Sequence, residues 1–445
     1  MRYHLRATAW LALPLIGGHL AQQIISITDT VMLGWYGVVA LAAGALGATC
    51  YFVVFIVGSG FALAVMPMVA REAASGNDAQ VRRVTRMGLW LAALTGVLIY
   101  PVFWYAEPLL IALRQETEVA QGAQTYLRIA GAGMGLSIMV AVLKSHLAAL
   151  ERTGMLLWST LAGAALNGVL NWVLIFGNLG APELGLAGAG IATFSTNLLI
   201  FVVLAVYASR AKGLRQHALF QRIWRPDWPV FIQVFRLGWP IGLTSMAESG
   251  LFTASTLLMG WLGTAALAAH GVALQIASVT FMVHVGLSAT ATVRAGRAFG
   301  QRDALALRDG AIASLILSAA MVALTMALFL GLPRPLIGMF LAPDEPQRAT
   351  IVAIGVGLLA VGALFQLADA AQVMALGLLR GLQDTQIPMI YAIFSYWAVG
   401  LPASYVFGFT FGLGPHGIWL GLVAGLVLAG ILMMTRFWRR LRRDL

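Results

Sequence analysis

Twelve apolar stretches, each long enough to cross the hydrocarbon core of a bilayer, limit what this chain can become. A crossing helix needs about 20 residues. Stretches of that order fall at about 7–33, 41–70, 87–106, 125–147, 156–177, 185–209, 231–259, 267–293, 310–332, 350–379, 387–410 and 415–436. In lipid every backbone N–H and C=O must be satisfied inside the chain, so such stretches become helices. The expected fold class is therefore an all-α polytopic membrane protein with 12 transmembrane helices. Composition agrees, with 60% hydrophobic residues, 10% charged and a mean hydropathy of +0.86; water-soluble domains carry about 25% charged residues. The basic flank and apolar run at the N-terminus resemble a signal peptide, but the run continues to about Leu33. It reads as the first span.

The chain is also duplicated. With Pro14 set against Pro240, MLGWYGVVALAAG (Met32 to Gly44) faces LMGWLGTAALAAH (Leu258 to His270), and seven of the ten positions from Gly34 to Ala43 are identical. Two sets of six spans enter the membrane from the same face, so the repeats are expected to be parallel. The seam is the basic connection from Arg210 to Asp227, which predicts an N-lobe over 1–215 and a C-lobe with a basic tail over 216–445.

A net charge of +11 would suggest nucleic acid in a soluble chain, but its placement points elsewhere. With 12 spans, 24 of the 28 Lys and Arg residues fall on the side that also holds both termini, leaving Arg114, Arg128, Arg334 and Arg348 opposite. By the positive-inside rule that side is cytoplasmic. No nucleic-acid partner is expected. The one cysteine, Cys50, lies in an apolar run and reads as core.

Of the 17 acidic residues, only Asp29, Glu248 and Asp369 lie inside the expected spans. A charged carboxylate at a helix centre costs roughly 2.5–3.5 kcal/mol on insertion scales, so such residues face a bundle interior or a water-filled cavity. No basic residue in the outer half of the spans pairs with them, and their neighbours (Gln22, Ser26, Ser245, Ser255, Gln366, Gln372) are polar but neutral. Desolvated carboxyl groups exchange protons near neutral pH, and an unpaired acid in a cavity attracts cations. These properties suit a carrier exchanging H⁺ or Na⁺ for an organic cation. The copies differ here: Glu248 aligns with Gln22, and Asp29 with Ser255, which predicts lobes with unequal roles.

Weaker signals surround the acids. Asn167 and Asn171 share a helix face and serve either interhelical hydrogen bonding or substrate contact. Phe252 and Phe281 with Met282 suit either an apolar wall for flat cations or core packing. His270 and His284 read more readily as packed, hydrogen-bonded histidines than as proton sites. No nucleophile elbow, phosphate loop or zinc-protease motif occurs in the sequence, so neither an enzyme nor a cofactor beyond the coupling ion is expected.

Several separated runs together resemble the MATE multidrug and toxin extrusion transporters, and most of all their NorM-type branch. They are ITDTVMLGW (Ile27 to Trp35), LKSHLAALERTG (Leu143 to Gly154) followed by NGVLNWVLIFG, AESGLF with MGWLGTAALAAH (Ala247 to His270), ATVRAGRAFG (Ala291 to Gly300) and DAAQVMALGLLRGLQDTQIP (Asp369 to Pro388). The resemblance implies a two-lobe antiporter that exports cationic, often aromatic compounds by alternating access. On matching positions, Glu248 and Asp369 would be the coupling acids of the C-lobe and the place for a Na⁺ ion, Asp29 the acid of the N-lobe, and Phe252 an aromatic near the cation. The expected substrate cavity draws on Phe252, Phe281, Asn167, Asn171, Gln22 and Gln366. Gly271 and His284 depart from the branch, which commonly has Gln and Pro there. Expected partners are small organic cations and membrane lipids, with the chain acting as a monomer in a bacterial cytoplasmic (inner) membrane and both termini cytoplasmic. A lipid-linked precursor flippase and a membrane-embedded enzyme stand as alternatives.

Overall fold

The structure is a computed structural model describing Met1–Asp444; Leu445, the last residue of the expected C-lobe, lies outside the described residues. The first repeat runs through α1 (Arg2–Tyr36), α2 (Val38–Ala74), α3 (Asp78–Trp104), α4 (Ala106–Ala112), α5 (Thr117–Ala132), α6 (Met134–Ala149), α7 (Thr153–Phe176) and α8 (Leu186–Arg210). The second runs through α9 (Trp228–Trp261), α10 (Thr264–Gln301), α11 (Ala304–Gly331), α12 (Pro333–Gly338), α13 (Arg348–Gly381), α14 (Gln386–Ile393), α15 (Leu401–Tyr405) and α16 (Gly414–Asp444). No strand occurs among the described residues.

The protein is an all-α polytopic membrane protein of two six-span repeats. Ten spans are long and apolar enough to cross alone, counting α14 and α15 with the π-helical turns Phe394–Gly400 and Val406–Thr410 as one segment, Gln386–Thr410. An eleventh is α5 with α6, bent by 48° at Gly133, so the expected single span 125–147 is a broken one. The twelfth is α9, 34 residues long. Ser245, Glu248, Ser249, Thr253, Ser255 and Thr256 dilute its apolar stretch, and kinship with α1 supports it as a span.

Helix ends repeat the duplication. Gly37 and Gly263 start α2 and α10 from equivalent positions. Asn77 caps α3 by accepting from the Gln80 N–H (3.1 Å), and its equivalent Asp303 caps α11 by accepting from Ala306 (2.9 Å). A side-chain oxygen there satisfies one of the free N–H groups of the first turn. Glu151 after α6 and Gln383 after α13 both take positive φ, 60° and 58°.

The compact units do not follow the 215/216 seam between the expected lobes. One unit is Met1–Ile16 with Leu243–Leu445, the other Gly17–Gly242. The breaks fall at equivalent points, just after Pro14 and Pro240, so α1 and α9 each give their first part to one unit and the rest to the other. The 211–227 connection belongs wholly to the second of these units, where α3 holds it. Arg83 Nε donates to Asp227 Oδ2 (2.5 Å), Arg86 to the Arg222 carbonyl (3.2 Å), and the Trp90 indole to the Ile223 carbonyl (2.8 Å).

In the unit containing the C-terminal repeat, α13 is the central helix, closed tightly on α10. Ser288 Oγ donates to the Val373 carbonyl and Thr292 Oγ1 to the Gly377 carbonyl, both at 2.8 Å. A side chain at Gly377 would place its Cβ 2.5 Å from the Ser288 carbonyl oxygen, and one at Gly381 2.9 Å from that of Thr292. These glycines let two backbones approach without side chains between them. Replacing Gly377 with Leu should therefore force α13 away from α10 at a cost of about 1–3 kcal/mol. Loss of a monodisperse peak in size-exclusion chromatography, where Gly377→Ala is less affected, would show it.

The Arg83 hydrogen bond holds the Asp227 carboxyl below the usual carboxylate range. A depressed carboxylate stabilises the fold above its unfolded value and loses that contribution only as pH falls through the lowered one. Asp227→Asn should loosen the connection at neutral pH by no more than about 1 kcal/mol, the pair being partly exposed. Trypsin cleavage after Arg222 should quicken in that variant. The parent should keep its slow cleavage down to mildly acid pH.

Candidate functional site

In the unit holding the C-terminal repeat, α13 presents Gln366, Asp369, Gln372 and Arg380 along one face, because residues three, four and seven apart stack on a helix. The Asp369 side chain is 1% exposed, and its Oδ1 has no hydrogen-bond partner within the protein. Glu248 projects from α9 with Oε1 in the same condition. The two carboxyl groups interact electrostatically with each other, and Tyr396 and Arg380 lie in their field. Both side-chain polar atoms of Gln372, the Gln366 carbonyl oxygen and the Tyr396 hydroxyl are likewise buried without partners. Buried polar groups are nearly always satisfied in proteins. Two interacting acids with buried oxygens left open are suited to a proton or a small hard cation.

Neighbouring elements fix this arrangement. Gln366 Nε2 donates to the Thr280 hydroxyl (2.6 Å) and the Ala277 carbonyl (3.2 Å), fastening α13 to α10 one turn before Asp369. The Trp397 indole donates to the Ala247 carbonyl (3.2 Å), holding α9 beside Glu248. Tyr396 and Trp397 both lie in the π-helical turn Phe394–Gly400. π-Helical insertions are frequent at functional sites.

Arg380 adds a positive charge to these neutral neighbours from the other end of the helix. Sorted by sequence to the basic end of α13, it lies at that end, but side chains on a helix lean toward its N-terminus. The guanidinium therefore acts on Glu248.

The aromatic candidates divide. Phe252 packs edge-on against Phe365 (5.9 Å between ring centres), and Phe365 against Trp419 (5.5 Å). The Trp419 indole N–H donates to His270 Nδ1 at 3.0 Å. An indole can only donate, so Nδ1 is the bare nitrogen and His270 is neutral, with its proton on Nε2 facing Thr256 Oγ1 at 3.1 Å. His270 is thus a hydrogen-bonded core histidine. His284, fully buried, shares Ser318 Oγ through Nδ1 (3.1 Å), and its Nε2 has no partner. Phe281 is half-buried and outside this ring series.

In the other unit, Asn171 Nδ2 donates to Asp29 Oδ1 (2.5 Å) and to Asn167 Oδ1 (3.2 Å). The acid of α1 and the asparagine pair of α7 therefore form one site, with both asparagines fully buried. Tyr126 of α5, also buried, interacts electrostatically with Asp29. Gln22 is apart from these residues and accepts from Lys144 Nζ (3.4 Å). Sequence reasoning found the three acids but missed Tyr126, Tyr396 and the reach of Arg380. Only the doubling of polar residues on the Asp369 face gave a signal for Gln372.

Residues 14–173 and 240–406 match the MatE family, the two matches beginning at the equivalent prolines Pro14 and Pro240. The chain is 44% identical over 440 residues to the probable multidrug resistance protein NorM of Rhizobium meliloti (strain 1021), covering 99% of this chain and 94% of that one. It is 40% identical to the protein of the same name from Agrobacterium fabrum (strain C58), covering 99% and 95%. Among solved structures, a MATE protein crystallised in complex with MaL6 superposes with a TM-score of 0.89 at 18% identity over 99% of this chain and 96% of that one. The eukaryotic MATE transporter AtDTX14 superposes at 0.85 with 19% identity over 99% and 98%. The chain belongs to the MATE family, in its NorM-type branch.

Proposed function

We propose that this protein is a multidrug efflux antiporter driven by inward movement of H⁺ or Na⁺. One observation carries the reading: Glu248 and Asp369 are brought together inside one unit, each with a buried carboxylate oxygen that no protein group satisfies. The names of the NorM relatives supply the class of cargo. In this reading an entering cation takes the open oxygens of Glu248, Asp369 and Gln372, and an organic cation competes for the same negative charge. Arg380 limits how much positive charge the pair holds at once, so binding of one cation disfavours the other. That competition is what exchange requires, because two ligands couple only through a difference in binding free energy. A membrane potential of 100 mV adds about 2.3 kcal/mol per charge moved.

Asp29 with Asn167 and Asn171 serves in this proposal as a separate, subsidiary ion or substrate site. Phe252 lends an apolar edge to the acid pair, and Phe281 and Gln22 remain proposed contacts for cargo. We place the protein in a bacterial cytoplasmic membrane with both termini inside, from the distribution of Lys and Arg. A monomer is the proposed functional unit. The relatives are transporters, so carriage rather than chemical turnover is the proposed activity.

Dye efflux from proteoliposomes under a pH gradient alone, and under a Na⁺ gradient alone, tests the reading and names the ion. Glu248→Gln and Asp369→Asn should each lower gradient-driven efflux by about 5- to 150-fold, the span of a coupling free energy of 1–3 kcal/mol. Asp29→Asn should have the smaller effect. Parental rates in both C-terminal variants would sink the proposal. Arg380→Gln should strengthen equilibrium binding of a cationic dye while slowing its gradient-driven release.

A further inference from the structure

A cavity of about 450 Å³ lies where α16 leaves its apolar stretch, lined by Tyr391, Leu432, Arg436, Arg439, Arg440 and Arg443. The arginines recur at the spacing that puts residues on one helix face, and Arg442, off that face, is not among the lining residues. A positive-inside signal requires basic residues near a helix end but not their gathering on one face around a cavity. The site is also braced from below. Asp384, 7% exposed in the turn after α13, accepts from Arg436 Nε (2.6 Å) and lies 3.1 Å from Arg440 Nη1. One carboxylate thus fixes two of the guanidiniums, and the other two, Arg439 and Arg443, face the same cavity.

Position supplies the second half of the argument. No charged residue occurs from Gly417 to Met434, a run of roughly 27 Å at 1.5 Å per residue, close to the hydrocarbon thickness of about 30 Å. The arginines begin two residues later, where an apolar span of that length ends. Leu432 and Tyr391 give the cavity an apolar, aromatic part of its lining, and the guanidinium fork matches phosphate oxygens pairwise.

We propose that this cavity is a binding site for a phosphate-bearing anion, the headgroup of an anionic phospholipid in the adjacent leaflet. The test uses the purified full-length protein in neutral detergent. Its thermal unfolding is followed with added phosphatidylglycerol, phosphatidylcholine or inorganic phosphate. Phosphatidylglycerol is expected to raise the midpoint by several degrees and phosphatidylcholine to leave it unchanged. Arg439→Gln with Arg443→Gln should remove about half or more of that rise, whereas Arg2→Gln with Arg6→Gln, which loses the same charge elsewhere, should keep it. A full response in the Arg439/Arg443 variant, or an equal loss in the Arg2/Arg6 variant, overturns the site. If inorganic phosphate alone reproduces the whole response, the occupant is a soluble anion and the lipid assignment falls. Should the double variant not fold, Arg439→Gln alone is read by native mass spectrometry. Fewer retained phosphatidylglycerol molecules than in the parent support the site, and equal numbers overturn it.

Discussion

Contact between the backbones of α10 and α13 sets the position of Asp369. Gly377 and Gly381 bring α13 close enough for Ser288 and Thr292 to hydrogen-bond its carbonyls, and Gln366 adds a third tie one turn before the acid. Lipid gives no hydrophobic drive for helices to associate, so packing and hydrogen bonds of this kind must hold them together. The consequence for the site is rigidity. A carboxylate that is costly to bury is placed on the best-fastened helix of its unit, where it cannot swing out to water. Its open Oδ1 then stays open.

The duplication explains which acids meet. Because α1 and α9 change units just after Pro14 and Pro240, the segment bearing Glu248 joins α13, and the segment bearing Asp29 joins α7. A boundary drawn at the long basic loop puts Glu248 and Asp369 together too, but it misassigns the first turns of both helices. The loop misleads because length and charge report where the chain is outside the membrane. Compactness is decided instead by contacts such as those of Arg83, Arg86 and Trp90, which fasten that loop to the earlier helices.

Much of the fold was legible in the sequence because the bilayer turns hydropathy into helix positions. Where that signal weakened, a second one supported it: polar residues around Glu248 dilute the apolar stretch of α9, and its kinship with α1 marks it as a span as well. The three acids were legible for the opposite reason, as charges where charge is expensive. Their partners were not. Helical periodicity tells which residues of α13 share a face, but not that Tyr396 of a π-helical turn shares their field or that the charge of Arg380 acts on Glu248. Asn167 and Asn171 looked equally suited to glue and to substrate contact; their hydrogen bond to Asp29 is a fact of packing between α1 and α7 that spacing within α7 cannot contain.

The two acid sites differ in a way that bears on how unequal the repeats have become. Asp29 already receives an amide N–H from Asn171, and the amide is oriented by Asn167, so that carboxylate has a neutral donor built in. Glu248 and Asp369 have no such donor, and the amide at hand, Gln372, is itself unsatisfied. A buried acceptor without a donor costs about 1–3 kcal/mol, more when charged, and a fold sustains that cost only where something supplies the missing partner during its cycle. Repeats that began alike have therefore separated into one acid the protein satisfies by itself and a pair it leaves to a passing ion. At the Glu248 position the first repeat has Gln22, which accepts from Lys144. Where the second repeat has the carboxylate of Glu248, the first thus has a neutral amide beside the amine of Lys144, and Asp29 is its one acid inside the expected spans.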